Sequence, residues 1–178
     1  MIETSRLHLR RPVPADWDAF RDFMMSDRAA IFGSRGNLGR AFRSFAAELG
    51  HWEIFGFGMF TVTPKGEDRA LALVGPWNPP DWPERELGWM VLDGAAEGKG
   101  IAREAAEGAL RHIWTVLNWP TVVSYIAEGN ARSVALAERL GAVLDPLAEV
   151  PEVAGQTLMV YRHPRPEMGP EIGPEIAA

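Results

Sequence analysis

The chain contains no cysteine. That excludes disulfides, thiolate nucleophiles and every cysteine-ligated zinc or iron–sulfur site. Its four histidines (His8, His51, His112 and His163) form no close pair, so no metal site is expected. Lys and Arg are outnumbered, 18 against 24 Asp and Glu, giving a net charge of −6 with no basic cluster. Such a chain lacks the footprint of a nucleic-acid binder and leaves room for a cationic partner. No stretch approaches the roughly 18 apolar residues of a membrane-spanning helix. The first ten residues carry Glu3, Arg6 and Arg10 and no apolar core, so no signal peptide is expected. A cytoplasmic protein without membrane partners is the expectation. What is present is 178 residues, 47% hydrophobic and 24% charged, which is the length and balance of one globular domain.

Periodicity divides the chain. Leu7 and Leu9 alternate with Arg6, His8 and Arg10, predicting a strand that Pro12 and Pro14 end. Trp17, Phe20, Phe23 and Met24 predict a helix over 16–25, and Phe42, Phe45, Ala46 and Leu49 a second over 39–52, joined by a glycine-bearing connector. Strands are expected over 57–63, 70–75, 86–92, 121–127, 142–150 and 156–161, with a proline-rich loop at 76–83. A helix over 98–117 carries an expected Glu107–Arg111 pair on its polar face. Asn130 caps another helix that runs to Leu140, with Gly141 just past its end. The order is an α+β fold: one mixed, mostly antiparallel twisted sheet flanked by helices. Residues 1–163 are expected to form the single domain. Residues 164–178, with a doubled Gly-Pro-Glu-Ile, are read as a tail, either flexible or docked on a partner subunit through Met168, Ile172 and Ile176.

The chemistry-bearing segment runs from Glu86 to Ala102. A strand enters the turn Gly98-Lys99-Gly100, and the turn opens the longest predicted helix. A helix start leaves about four N–H groups unpaired and adds roughly half a positive charge. Glycines without Cβ let a phosphate reach the backbone, and Lys99 supplies a mobile cation. The same turn is equally a plain tight connection. It is neither a Walker A loop nor a complete Gly-x-Gly-x-x-Gly fingerprint.

In context, the segment Glu97-Gly98-Lys99-Gly100-Ile101-Ala102 resembles the acyl-CoA diphosphate loop of the GNAT superfamily of N-acetyltransferases, written Gln/Arg-x-x-Gly-x-Gly/Ala. Three more segments are similar to the subgroup of ribosomal-protein N-terminal acetyltransferases. They are Thr4-Ser5-Arg6-Leu7-His8-Leu9-Arg10, then Glu86-Leu87-Gly88-Trp89 (Glu-Ile-Gly-Tyr in the subgroup), then Asn130-Ala131-Arg132-Ser133 followed by Leu140-Gly141-Ala142. The resemblance spans residues 4–162. It implies a GNAT-like sheet, acetyl-CoA as co-substrate and no metal. It further implies direct acetyl transfer to a primary amine, either a protein N-terminus or a small molecule, and a possible homodimer.

Carried over residue by residue, the resemblance gives cofactor contacts at Met90, Val91, Leu92, Glu97, Gly98, Lys99, Gly100, Ile101, Ala102, Asn130 and Ser133. Backbone N–H groups of residues 90–92 are expected to meet the developing oxyanion. Glu86 is the candidate base, against a structural pairing with Arg85 or Arg6. Ser133 is the candidate contact to the thiolate, against simple helix capping. Two departures stand out. The family's Gln or Arg is Glu97 here, expected to point outward, with Arg103 either offsetting its charge or lying on a solvated helix face. The tyrosine that many members place seven residues after the Asn is Ala137. The link from strand to loop is also one residue longer than usual. Trp77, Trp82, Trp52 and Phe32 are candidate acceptor-pocket walls, against ordinary packing. A non-catalytic acyl-CoA binder, a structural homodimer of the same fold and a nucleotide-binding module remain alternatives.

Overall fold

The computed structural model describes residues 1–32, 36–153 and 155–166, the side chain of Phe32 apart. The strands are β1 (Ile2–Glu3), β2 (Leu7–Arg10), β3 (Phe60–Pro64), β4 (Ala72–Trp77), β5 (Glu86–Val91), β6 (Val123–Ala127), β7 (Val143–Leu144) and β8 (Leu158–Arg162). The helices are α1 (Trp17–Met25), α2 (Leu38–Phe55), α3 (Ile101–Thr115) and α4 (Ala131–Arg139). The eight strands form one sheet in the order β1-β2-β3-β4-β5-β6-β8-β7, antiparallel except for the β5–β6 pair. The expected α+β class and mostly antiparallel sheet are observed.

Alternation along each strand sorts its side chains onto two faces. Leu7, Leu9, Val62, Val74 and Leu87 pack against α3 through Ile101, Ala105, Ala109 and Ile113. Leu73, Met59 and Met90 face α1 and α2 through Phe20, Phe23, Ala41 and Phe45. Leu9, Val62, Val74 and Ile113 are fully buried, each worth roughly 2 kcal/mol of apolar transfer. A third cluster joins Ile126 and Tyr161 of the sheet to Ala137 of α4.

The Thr4–Arg10 segment has a mechanical role. Arg6 binds Glu104 in the first turn of α3 at 2.6 Å, and the Thr4 hydroxyl donates to the same carboxylate at 2.7 Å. Arg10 forks onto buried Asp16 ahead of α1 at 2.7 and 2.8 Å. Burial alone would raise the Asp16 carboxyl. Arg10, the Val13 N–H and the Thr61 hydroxyl overcome that and hold it below the usual range. One strand thus ties together helices on both faces.

Several boundaries differ from expectation for identifiable reasons. A six-residue 3₁₀ segment, Asp27–Phe32, precedes the connector. α2 runs on to Phe55, where Gly56 takes a left-handed φ of 74°. β4 continues through Pro76 because β3 pairs only as far as Val74, so no donor is missed there. β7 is two residues instead of nine, since Pro146 follows closely and Arg162 binds Asp145 instead. The pair on α3 is Arg103–Glu107, not Glu107–Arg111. The proposed tail contacts Met168, Ile172 and Ile176 lie outside the described residues.

Candidate active site

β5 and β6 are bridged once, at Glu86 and Val123, and then part. The Val123 N–H donates to Arg85 O at 3.0 Å. One residue on, a side chain replaces the ladder: the Ser124 hydroxyl donates to Leu87 O at 2.7 Å. Ser124 Oγ also lies 2.9 Å from His163 Nε2. A carbonyl only accepts, so the serine hydrogen goes to Leu87 and His163 donates from Nε2. His163 is buried, which pushes it down to about 4 and keeps it neutral.

Past Ser124 the strands enclose a cavity of about 240 Å³. Its walls include Glu86, Trp89 and Trp82 on one side and Tyr125, Asn130 and Ser133 on the other. Strand register decides which backbone groups look into it. The Leu92 N–H donates to Leu71 O at 2.9 Å. Counting back along the antiparallel pairing, Met90 and Gly88 also spend their amides on β4. The groups directed toward β6 are those of Leu87, Trp89 and Val91. Among residues 90–92, therefore, only Val91 directs its amide to the β6 side, as Trp89 does.

The extra residue between strand and loop is a β-bulge. Leu92 and Asp93 both donate to Leu71 O, at 2.9 and 3.0 Å, so two residues oppose one. Asp93 then caps the short turn Gly94–Ala96 through the Ala95 N–H at 2.8 Å. The insertion is thereby absorbed before the glycine turn. Gly98 and Gly100 have φ of 71° and 76°, backbone that disfavours any side chain. Glu104 is the first residue of α3 whose N–H reaches a carbonyl, Gly100 O at 3.0 Å. The amides of Ile101, Ala102 and Arg103 precede it and point out of an exposed helix start, a ready anion cradle.

Glu97 does not simply point outward. Its carboxylate is shared by Arg28, at 2.5 Å, and Arg132, at 2.6 Å. Burial would raise it, and the two guanidiniums instead hold it below the usual range. Arg103, one of two sequence readings for the counter-charge, lies on the exposed helix face engaged by Glu107. Arg28 also donates to Val91 O and Leu92 O at 2.7 and 2.8 Å, so it pins the bulge as well.

Glu86 stands at the cavity's other end. Neither Arg85 nor Arg6 holds it. Its partners are the Trp82 indole N–H at 2.6 Å and the Tyr125 backbone N–H. Burial pushes the carboxyl up to about 7, against those two donors. Glu48 of α2 lies in the same interior with Oε2 wholly buried and unpartnered. Burial first, then the negative charge of Glu86, lifts Glu48 to about 8. Tyr125 accepts from the Glu84 N–H at 3.1 Å, and its phenol is raised to about 12 chiefly by burial.

Asn130 caps α4 by accepting the Ser133 N–H at 3.1 Å, and the Ser133 hydroxyl accepts the Trp89 indole N–H at 3.0 Å. Ser133 thus both fills the capped position and lines the cavity. Ala137 is fully buried in the third cluster. Of the proposed aromatic walls, Trp82 lines the cavity. Trp77 instead stacks on His51 at 4.4 Å, and Trp52 donates to Met59 O at 2.9 Å against Phe60. Neither lines this cavity. The Phe32 side chain lies outside the described residues. Sequence reading missed Arg28, Glu48 and Tyr125. Only Glu48 left a trace, as an acid on the apolar stripe of Ala41, Phe45 and His51.

Among the described residues no group of three or more metal-ligating side chains occurs, and no helix is long and apolar enough to cross a membrane. A family model described as the acetyltransferase (GNAT) domain matches residues 6–143. An acetyltransferase from Agrobacterium tumefaciens is 37% identical, with a TM-score of 0.83 over 91% of this chain and 92% of that one. A GNAT-family acetyltransferase from Bordetella pertussis, described as putative, is 25% identical, with a TM-score of 0.74 over 92% and 98%. A spermidine N-acetyltransferase from Vibrio cholerae, solved with CoA and spermine, shares the fold at 22% identity and a TM-score of 0.66 over 89% and 94%. A parted strand pair, a glycine turn opening a helix and these matches agree: the chain belongs to the GNAT family of acetyltransferases.

Proposed function

We propose that the protein transfers an acetyl group from acetyl-CoA directly to a primary amine. The observation that carries this reading is the parting of β5 from β6 between a helix-start anion cradle and a protonatable carboxyl. The amides of Ile101, Ala102 and Arg103, with Lys99, would hold the diphosphate. The amides of Trp89 and Val91 are the two that face the parted edge, and one of them would receive the developing oxyanion. This moves the backbone role from Met90 and Leu92, whose amides are spent on β4.

The acceptor amine attacks the thioester carbonyl carbon, and the carbonyl π pair moves to oxygen. Glu86, raised to about 7, takes the ammonium proton near neutrality. The tetrahedral adduct re-forms C=O as the C–S bond breaks and its electron pair passes to sulfur. Ser133 would donate a hydrogen bond to that sulfur without losing its proton, and solvent protonates the thiolate afterwards. Ala137 is buried in the core and the Ser124 hydroxyl is spent on Leu87 O, so Ser133 takes this role ahead of Tyr125, whose phenol oxygen is held at the Glu84 amide. No enzyme-bound intermediate is needed, in keeping with a chain that lacks cysteine. The acceptor is a protein N-terminus or a small amine, and Trp82 and Tyr125, 6.4 Å apart and edge to face, supply aromatic surface beside Glu86.

The test is an acetylation panel of N-terminal peptides, amino acids and di- and polyamines with acetyl-CoA. Formation of an acetylated amine with one equivalent of free CoA is expected. Tight acetyl-CoA binding with no transfer to any amine would instead establish a non-catalytic acyl-CoA binder.

A further inference from the structure

We infer that Trp89 is a positioning residue that aims the Ser133 hydroxyl hydrogen into the wedge between β5 and β6. This rests on the acetyl-transfer reading above and names how its thiolate contact is prepared. Ser133 Oγ accepts the Trp89 indole N–H at 3.0 Å. The Ser133 amide is taken by Asn130 at 3.1 Å, which fixes the backbone from which the hydroxyl projects. Among the described residues Ser133 Oγ has no protein acceptor for its own hydrogen.

A lone serine on a helix turns its hydrogen back toward the preceding turn's carbonyl. An incoming donor occupies one oxygen lone pair and disfavours rotamers that bring the serine hydrogen toward that donor. Trp is a donor only, so the direction of the bond has no second solution. A tyrosine at this position would differ, since a phenol accepts as readily as it donates and would let the serine hydrogen turn toward it. Here tryptophan removes that choice. Trp89 is itself held on both sides, packed against the α3 cluster and the α4 cluster. The donor therefore stays in place while sulfur charge builds. Both residues line the cavity, so the freed hydrogen faces the space where a leaving sulfur would sit.

The experiment compares wild type with Trp89→Phe, Ser133→Ala and the double variant, each checked for an unchanged thermal unfolding profile. Two readouts are taken: kcat and KM with acetyl-CoA and an amine from the panel, and the pH at which the thiol of bound CoA ionises, followed by thiolate absorbance. Each single variant is expected to lower kcat about tenfold, with KM for acetyl-CoA within twofold. The bound thiol should ionise about one pH unit higher in each. The double variant should match the single ones, because the two residues act as a unit. A structural role for Trp89 would not move the thiol. If Trp89→Phe does not fold, Trp89→Tyr should show the same changes at smaller size.

Normal kcat and normal thiol ionisation in the Trp89 variant, beside a slowed Ser133→Ala, would overturn the proposal and leave the acetyl-transfer reading standing. Losses that multiply in the double variant would do the same. Failure of the wild type to bind CoA would remove the underlying reading and this inference with it.

Discussion

The acids at the two ends of β5 are treated in opposite ways. Past the strand's end, Glu97 is clasped by Arg28 and Arg132, and Glu104 by Arg6 and Thr4, and both carboxyls are held below their usual range despite partial burial. At its start, Glu86 receives two neutral N–H donors, and the nearby Glu48 keeps an unpartnered oxygen. Those two are lifted to about 7 and about 8. One residue type thus does two jobs. Where an arginine reaches it, the charge is permanent and serves as a strut for the glycine turn and the bulge. Where none does, the proton is exchangeable near neutrality, which acid–base work requires.

Removing the exchangeable proton site breaks the contrast most severely. Glu86→Gln keeps the shape and can still accept the Trp82 N–H, but it cannot take a proton. A 100- to 1,000-fold fall in kcat is expected, about 3–4 kcal/mol of barrier. The wild-type pH profile should rise through an apparent pKa near 7, and the variant should lose that limb. Steady-state kinetics between pH 6 and 9 measure both. Full activity with an unchanged profile would return Glu86 to a structural role.

Glu48 tests the same region through stability. Its folded pKa lies above the unfolded value, so the folded state holds the extra proton. Stability from this group is complete below the unfolded pKa and is lost as pH rises toward about 8. Glu86 acts in the same direction. Denaturant unfolding should therefore show the wild type losing stability from pH 5 to pH 8. Glu48→Gln should be the more stable protein at pH 8, by about 2 kcal/mol, with little difference at pH 5. Equal curves at both values would mean that Glu48 finds a cation in solution.

Features set by short-range chemistry were legible in the sequence. The Leu7/Leu9 alternation, the strand–glycine–helix segment at 86–102 and the Asn130 cap each depend on neighbours within one turn or one pleat. What was not legible depends on distant partners. Arg28 reaches Glu97 across 69 positions and Trp89 reaches Ser133 across 44, and no local pattern encodes either. Residues 90–92 looked equivalent until the pairing to β4 assigned alternate amides to each side. The bulge at Leu92 and Asp93 shows only as an unexplained extra residue. Aromatic side chains are ambiguous for a related reason. Trp52, Trp77 and Trp82 share one composition signal, and only packing separates the cavity wall from the two half-buried residues that stack elsewhere.

The paired carboxylate sharpens the contrast with the smallest effect. Glu97→Gln leaves Arg28 its two carbonyl partners and frees Arg132, whose side chain is 86% exposed. Surface pairs of this kind contribute at most about 1 kcal/mol, so the stability loss should be no larger. Because Glu97 lowers its pKa on folding, that loss should be complete above the unfolded carboxyl range and vanish only as pH falls on through the lower folded pKa. Removing one negative charge beside the anion cradle should also tighten acetyl-CoA, about two- to fivefold at low ionic strength. The gain should disappear in high salt, where charges farther apart than a few ångströms are screened. Calorimetric titration at two salt concentrations measures it. Weaker binding at both would mean that Glu97's aim on Arg28, and through it on the bulge, outweighs its repulsion of the diphosphate.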